Sequence, residues 1–129
     1  MLQTAKSEVL IVDRYTDEKV LTDYAVLSPQ NVTVRLLTGR ASHSASLVPA
    51  VRSWEKQNGA TRPLLVRLAP DKTLHDRLIL VDGKTAWALG QSFKDLVARA
   101  HTTLVEVVGE PGAQKIAAYA DMWDTATSL

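Results

Sequence analysis

The stretch from residue 75 to residue 84 reads HDRLILVDGK, and it decides how the surrounding chain is expected to fold. Arg77 to Val81 is a short, largely apolar run that is typical of a buried strand. Asp82-Gly83-Lys84, which follows it, is a hairpin signal. Thr85 to Leu89 should therefore form the second arm of a β-hairpin.

Outward from this hairpin, strand and helix patterns alternate along the chain. Strands are expected at residues 8–13, 32–37, 64–68 and 102–108, and helices at 16–27, at 46–58 and at the C-terminus. Ser46 is expected to cap the second helix, residues 109–112 to break the last strand, and Ile116, Ala120 and Trp123 to form the buried stripe of the last helix. Because helices separate the early strands, the sequence predicts one α/β domain, residues 1–129, with a mixed β-sheet flanked by helices.

Composition limits the possible classes of protein. The chain has 129 residues, 15 basic and 14 acidic side chains, and a net charge of +1, so any phosphate site must be local. It has no cysteine, which excludes disulfides and thiolate metal sites and fits a cytoplasmic protein. Residues 1–6 run directly into the first strand, and we therefore expect a C-terminal domain of a longer protein.

The hairpin carries the first candidate site. His75, Arg77 and Asp82 have the spacing His-x-Arg-x4-Asp, and alternate side chains of a strand share a face, so His75 and Arg77 should point the same way. An imidazole can attack phosphorus or move a proton, and a guanidinium holds two phosphate oxygens. Asp82 could accept hydrogen bonds from backbone N–H groups. The alternative is that these are ordinary polar residues at the edge of a strand.

A second candidate segment follows the hairpin. Gly90 would allow the backbone to approach an anion closely, and Ser92 and Lys94 would add a hydroxyl and an ammonium. The alternative is a capped turn in which Lys94 and Asp95 are solvated.

Further candidates follow the first two strands. Asp13, Tyr15 and Arg40 stand where ligands gather in open α/β sheets, beyond the carboxyl ends of the strands. They could line the same pocket as His75, although exposed polar loop residues are the more common interpretation.

Together, residues 75–82 and 90–95 resemble the phospholipase D superfamily, which carries His-x-Lys-x4-Asp followed by Gly-Ser-x-Asn. The resemblance covers essentially the whole chain and implies a single phospholipase D-like repeat. Arg77 replaces the lysine, Gln91 separates the glycine from the serine, and Lys94-Asp95 replaces the asparagine. The His-Asp-Arg variant is also similar to the C-terminal lipid-binding domain of an MIT-domain protein of the membrane-remodelling machinery, and to domains of bacterial mobile-element and defence proteins.

The resemblance implies roles for individual residues. In active members two such motifs meet, within one chain or across a homodimer; one histidine becomes a phosphohistidine and the other protonates the leaving group, with no metal or cofactor. By that analogy His75 is the nucleophile or acid, Arg77 holds the phosphate, and Ser92 binds it. On grounds of charge, Lys94 is expected to bind the phosphate as well. Small nuclease members also place a glutamate on the next strand to orient the histidine, and here His101-Thr102 stands near that position.

Two functions of different classes therefore remain. The first is a degenerate, non-catalytic module that recognises phosphate groups of nucleic acid or of lipid headgroups, or docks other domains of its parent protein. The second is a metal-independent phosphodiesterase or nuclease that works as a homodimer. The missing acid and the split Gly-Ser pair favour the module, and an acid within hydrogen-bond reach of His75 would favour the enzyme.

Overall fold

The computed structural model describes residues 4–25, 28–70, 73–74, 76–89 and 104–129. The strands are β1 (Glu8–Val12), β2 (Thr33–Gly39), β3 (Leu64–Ala69), β4 (Leu78–Val81), β5 (Thr85–Leu89), β6 (Leu104–Glu106) and β7 (Thr127–Ser128). The helices are α1 (Leu47–Asn58) and α2 (Gly109–Thr125), and one π-helical turn covers Val20–Tyr24.

The strands form one mixed sheet in the order β6-β5-β4-β1-β2-β3-β7. β1, β2 and β3 run parallel to one another, as expected for strands separated by helical segments. β1 also pairs with β4 in the antiparallel direction, and β4, β5 and β6 continue as an antiparallel meander. The predicted α/β class with a mixed sheet flanked by helices is confirmed.

The sheet buries apolar side chains on both faces. One face packs against α1 and the π-helical turn, through side chains such as Ile11, Leu36 and Trp54. The other face packs against α2, through side chains such as Val12, Leu37 and Trp123. Because both faces of β1 are covered, its residues Val9 to Val12 are all buried, which explains their continuous apolar run.

The hairpin predicted at Asp82-Gly83 is confirmed. Both residues have positive φ angles, 54° and 64°, which a tight hairpin turn of this type requires at its two central positions. Val81 and Thr85 face each other across the turn as the first pair of the β4–β5 ladder. Aspartate and glycine tolerate this backbone region better than most residues, so the sequence signal has a direct physical cause.

The first helix begins two or three residues later than expected from a cap at Thr16 or Asp17. In the described part of this segment, residues 19–25 are helical, and Val20–Tyr24 form a π-helical turn. Asp17 accepts a hydrogen bond from the backbone N–H of Lys19 at 3.0 Å, which helps to begin the turn. Thr16 is buried and donates its hydroxyl to Thr38 at 2.7 Å, so a tertiary contact holds the start of the segment outside a helix.

Ser46 occupies the N-cap position of α1, as predicted, but its side chain does not cap the helix. Its hydroxyl donates to the Glu18 carboxylate instead. A charged acceptor forms a stronger hydrogen bond than a neutral one, so the tertiary contact displaces the local cap.

The last helix begins earlier than predicted. α2 starts at Gly109 and includes residues 109–112, because Pro111 fits the first turn of a helix, where its missing N–H is not needed. A Cβ atom at Gly112 would lie 2.0 Å from the carbonyl oxygen of Val107, so glycine is required at this close approach. Ala120 is exposed, and Tyr119 joins Trp123 on the buried stripe in its place.

β7 was not predicted from the sequence. It consists of two residues that pair with Arg67 and Leu68 of β3, and so short a strand leaves no periodic signal. In the part of the chain that the structure describes, neither helix combines the length and the apolar character needed to cross a membrane.

Candidate functional site

The candidate site lies where β1 ends and β4 begins. These neighbouring strands are antiparallel, and Val12 pairs with Leu78, so the residues after β1 meet those before β4. A pocket of about 210 Å³ opens there, lined by Asp13, Arg14, Tyr15, Leu74, Asp76 and Arg77. The segment that contains the His-x-Arg motif therefore shares a pocket with the carboxyl end of the first strand.

Arg77 is the residue of the predicted phosphate site that the structure places in this pocket. It is partly buried and immediately precedes β4, so the prediction that the strand begins at Arg77 is wrong by one residue. Its Nε atom is buried and has no hydrogen-bond partner among the described residues. A buried donor without a partner costs free energy, and an anionic acceptor in the pocket would remove that cost.

Asp13 and Tyr15 line the same pocket as Arg77. Asp13 is fully buried, and its carboxylate accepts a hydrogen bond from the backbone N–H of Tyr15 at 3.0 Å. This local bond turns the chain sharply at the end of β1 and holds both side chains at the pocket. The pocket therefore contains a buried carboxylate beside the motif.

Asp76, between the two site residues of the motif, connects this segment to α2. Its carboxylate accepts hydrogen bonds from Lys115 Nζ, at 3.0 Å to each oxygen, and from the Tyr119 hydroxyl at 2.6 Å. Burial raises the pKa of Tyr119 well above its usual range, and the hydrogen bond to Asp76 and its negative charge raise it further. Tyr119 therefore remains a neutral donor, and α2 fixes the backbone next to Arg77.

Tyr119→Phe should lower the free energy of unfolding by about 1–2 kcal/mol, because it removes a buried hydrogen bond to a charged group. Lys115→Met should cost less, about 0–1 kcal/mol, because the Lys115 and Asp76 side chains are 34% and 35% exposed and exposed ion pairs contribute little. Urea unfolding of both variants gives the comparison. An equal or larger loss in the lysine variant would contradict this ranking.

Asp82 lies at the other end of β1, away from the pocket. Its carboxylate accepts hydrogen bonds from the backbone N–H groups of Lys6, Ser7 and Glu8 and from the Ser7 hydroxyl, at 2.7–3.1 Å. Partial desolvation raises the pKa of Asp82, but these hydrogen bonds outweigh it and hold the pKa well below its usual range. Asp82 thus ties the hairpin to the start of β1 and does not line the pocket.

The structure does not bring Arg40 to this pocket. Arg40 follows β2, is exposed, and donates a hydrogen bond from Nη2 to the Thr127 hydroxyl at 3.0 Å. The other predicted site residues, His75, Gly90, Ser92, Lys94 and Asp95, lie outside the described residues.

Sequence reasoning missed Arg14, Lys115 and Tyr119. The spacing of Lys115 and Tyr119, four residues apart on one helix face, was a usable signal, but only the tertiary fold shows that this face meets Asp76. Among the described residues, no group of three or more His, Cys, Asp or Glu side chains is placed to hold a metal ion.

Comparisons with known proteins point to one fold. No protein-family model matches the sequence, and no curated protein matches it. Among solved structures, the chain is similar to Nuc from Salmonella typhimurium, a phospholipase D family member, with a TM-score of 0.64, 14% identity, and coverage of 99% of this chain and 85% of that one. NucT from Helicobacter pylori matches with a TM-score of 0.56 and 9% identity over 99% and 86% of the two chains.

A third similar structure is TrmBL2, an archaeal chromatin protein, with a TM-score of 0.50 and 13% identity over 99% of this chain and 46% of that one. Nuc, the phospholipase D family member, is matched over 85% of its length, and NucT over 86%. The chain therefore has the phospholipase D fold.

Proposed function

We propose that this domain recognises phosphate or phosphodiester groups at the pocket between residues 13–15 and 74–77. The observation that carries the proposal is Arg77, which lines the pocket and whose Nε has no hydrogen-bond partner among the described residues. Guanidinium groups bind phosphate oxygens through parallel N–H donors, and such charge-assisted hydrogen bonds are the strong ones.

The local charge also supports an anion. The lining has two acidic residues, Asp13 and Asp76, and two basic residues, Arg14 and Arg77, and Lys115 adds one further positive charge through its pair with Asp76. The whole chain is nearly neutral, with a net charge of +1, so attraction for phosphate must come from this local arrangement. The His-x-Arg motif adds His75 to the same proposal, and the second motif adds Ser92 and Lys94, with Gly90 and Asp95 in supporting positions.

On this proposal the domain does not cleave the group that it binds. The lysine of the phospholipase D motif is replaced by Arg77, Gly90 and Ser92 are not adjacent, and no acid stands at residues 101–102. Arginine keeps the positive charge but differs from lysine in shape and hydration. Binding of phosphate tolerates such changes better than catalysis, which needs the reacting groups in a narrow geometry.

The second candidate is a metal-independent phosphodiesterase that acts as a homodimer through a phosphohistidine. Asp13 favours it, because a fully buried carboxylate lines the pocket beside the residues that flank His75. A carboxylate in this position can orient a catalytic histidine, the role that the missing glutamate fills in active members.

Arg77→Ala should raise the dissociation constant for inorganic phosphate about tenfold to a hundredfold, because hydrogen bonds to charged groups contribute about 1.5–3 kcal/mol. The measurement is a titration with phosphate, or with a dinucleotide, followed by NMR on the His75 imidazole. Arg40→Ala removes the same charge outside the pocket and serves as the matched control. No shift in the wild type, or equal binding by the two variants, would show that this is not a phosphate site.

A cleavage assay on DNA, RNA and a model phosphodiester in excess chelator distinguishes the enzyme from the non-catalytic module. The module predicts no cleavage. Chelator-resistant cleavage that disappears in His75→Ala, and that falls more than dilution alone when inactive subunits are mixed in, would establish the homodimeric enzyme instead.

A further inference from the structure

We propose that Arg14 is a second ligand of the same anion, so that the pocket holds a phosphate group between two guanidinium groups. Arg14 follows β1, Arg77 precedes β4, and both side chains line the pocket. The inference rests on the proposed function, because it assigns a further residue to the same site.

The Arg14 side chain is held in place before any ligand binds. Its Nε donates a hydrogen bond to the Ser42 hydroxyl at 3.0 Å, and its guanidinium carbon lies 5.1 Å from the centre of the Tyr15 ring. A Cβ atom at Gly39 would come within 3.1 Å of Arg14 Cγ and 2.9 Å of its carbonyl oxygen, so the absence of a side chain there gives Arg14 its room. Such an arrangement lowers the entropy lost on binding.

The terminal nitrogens of Arg14 remain available. Among the described residues, the hydrogen bond to Ser42 and the contact with Tyr15 are the polar and ring contacts of its guanidinium. The Arg77 guanidinium likewise has an Nε without a hydrogen-bond partner among the described residues, so both arginines of the pocket have donors that a ligand could use.

Charge gives the second argument. The salt bridges among the described residues join Arg35 to Glu8 and Lys115 to Asp76, and neither involves Arg14 or Arg77. Arg14 and Arg77 therefore share one pocket without a salt bridge to a described carboxylate, although the buried Asp13 carboxylate belongs to the same lining. An anion that contacts both guanidinium groups is attracted by each of them, and Asp13 reduces that attraction.

A tetrahedral phosphate matches this arrangement, because it can offer separate oxygens to two planar donors. The same group occurs in a nucleic-acid phosphodiester and in a lipid headgroup. Suitable probes are inorganic phosphate, a dinucleotide with one phosphodiester, and glycerol phosphate, and the tighter of the two organic probes identifies the source.

The test is calorimetric titration of the whole chain and its variants. Arg14→Ala should weaken phosphate binding about tenfold, since it removes hydrogen bonds to a charged ligand. Arg14→Lys should fall between the wild type and Arg14→Ala, because lysine keeps the charge but loses the planar fork. Arg40→Ala should change binding by less than about twofold, because exposed charges outside the site are screened by salt.

Ser42→Ala tests the role of Arg14 without changing Arg14 itself, in case the arginine variants do not fold. It removes only the hydroxyl that accepts the hydrogen bond from Arg14 Nε. It should weaken binding a few-fold while the thermal unfolding curve stays close to that of the wild type. If the wild type binds phosphate, Arg77→Ala loses it, and Arg14→Ala matches Arg40→Ala, the role of Arg14 is overturned while the proposed function stands. A wild type that binds none of the probes overturns both.

Discussion

Trp123→Ala should lower the free energy of unfolding by about 3–5 kcal/mol, the usual cost of removing a large aromatic side chain from a core. Trp123 is 4% exposed and belongs to the core between α2 and the sheet. Its ring also lies against two guanidinium groups, with Arg35 at 5.5 Å and Arg67 at 4.6 Å from its centre. No neighbouring side chain can fill the space of an indole without moving the helix.

Urea unfolding measures this loss, and Arg67→Met separates the packing of the ring from the polar contacts of Arg67. The methionine keeps an apolar stem against the ring but removes the cation–π contact and the hydrogen bond from Arg67 Nη1 to the Trp123 carbonyl at 2.7 Å, so it should cost only about 1–2 kcal/mol. A loss below about 1 kcal/mol in Trp123→Ala would mean that α2 does not depend on this residue for its packing on the sheet.

Asp82→Ala should cost about 2–3 kcal/mol, which is less than the sum of its hydrogen bonds because the carboxylate is partly exposed. The variant loses the acceptor for three backbone N–H groups at the start of β1. It also places alanine at a φ of 54°, where aspartate and asparagine are better tolerated. Asp82→Asn keeps the turn and should lose only about 1–2 kcal/mol, the charged part of the interaction.

The pH dependence gives an independent check on Asp82. The pKa of this carboxyl is lower in the folded chain than its ordinary value of 3.8, so its contribution is present above pH of about 4 and is lost as the pH falls further. The stability difference between the wild type and Asp82→Asn should therefore be constant near neutral pH and shrink below pH of about 4. A difference that does not change with acid would assign the effect to the turn alone.

The parts of the fold that follow from local chemistry were predictable. Asp82-Gly83 favours its turn because both residues tolerate positive φ angles. The continuous apolar run of β1 indicates a strand that is covered on both faces. The errors arose where distant residues decide the outcome. The Ser46 hydroxyl donates a hydrogen bond to Glu18 and does not cap its helix, and β7 forms by pairing with the edge of β3.

Part of the candidate site was also predictable from the sequence. Ligands of open α/β sheets bind beyond the carboxyl ends of strands, which predicted that Asp13 and Tyr15 lie near the motif, and both line the pocket with Arg77. Arg14 stands between them in the sequence and carried no separate signal. The freedom of Arg14 to bind a ligand depends on its hydrogen bond to Ser42 and on the pairing of Asp76 with α2. Neither contact can be predicted from the local sequence.

The central place of β1 in the sheet also determines when the pocket can form during translation. β1 lies between β2 and β4, and its start is tied to the hairpin through Ser7 and Asp82, which are 75 positions apart in the chain. The ribosome synthesises residues 13–15 long before Leu74, Asp76 and Arg77, which line the pocket with them, and contacts of such sequence separation form slowly. The pocket therefore cannot exist on a nascent chain until β4 has left the exit tunnel. A chain interrupted before that point has only half of the pocket lining and leaves one edge of β1 unpaired, open to association with other chains.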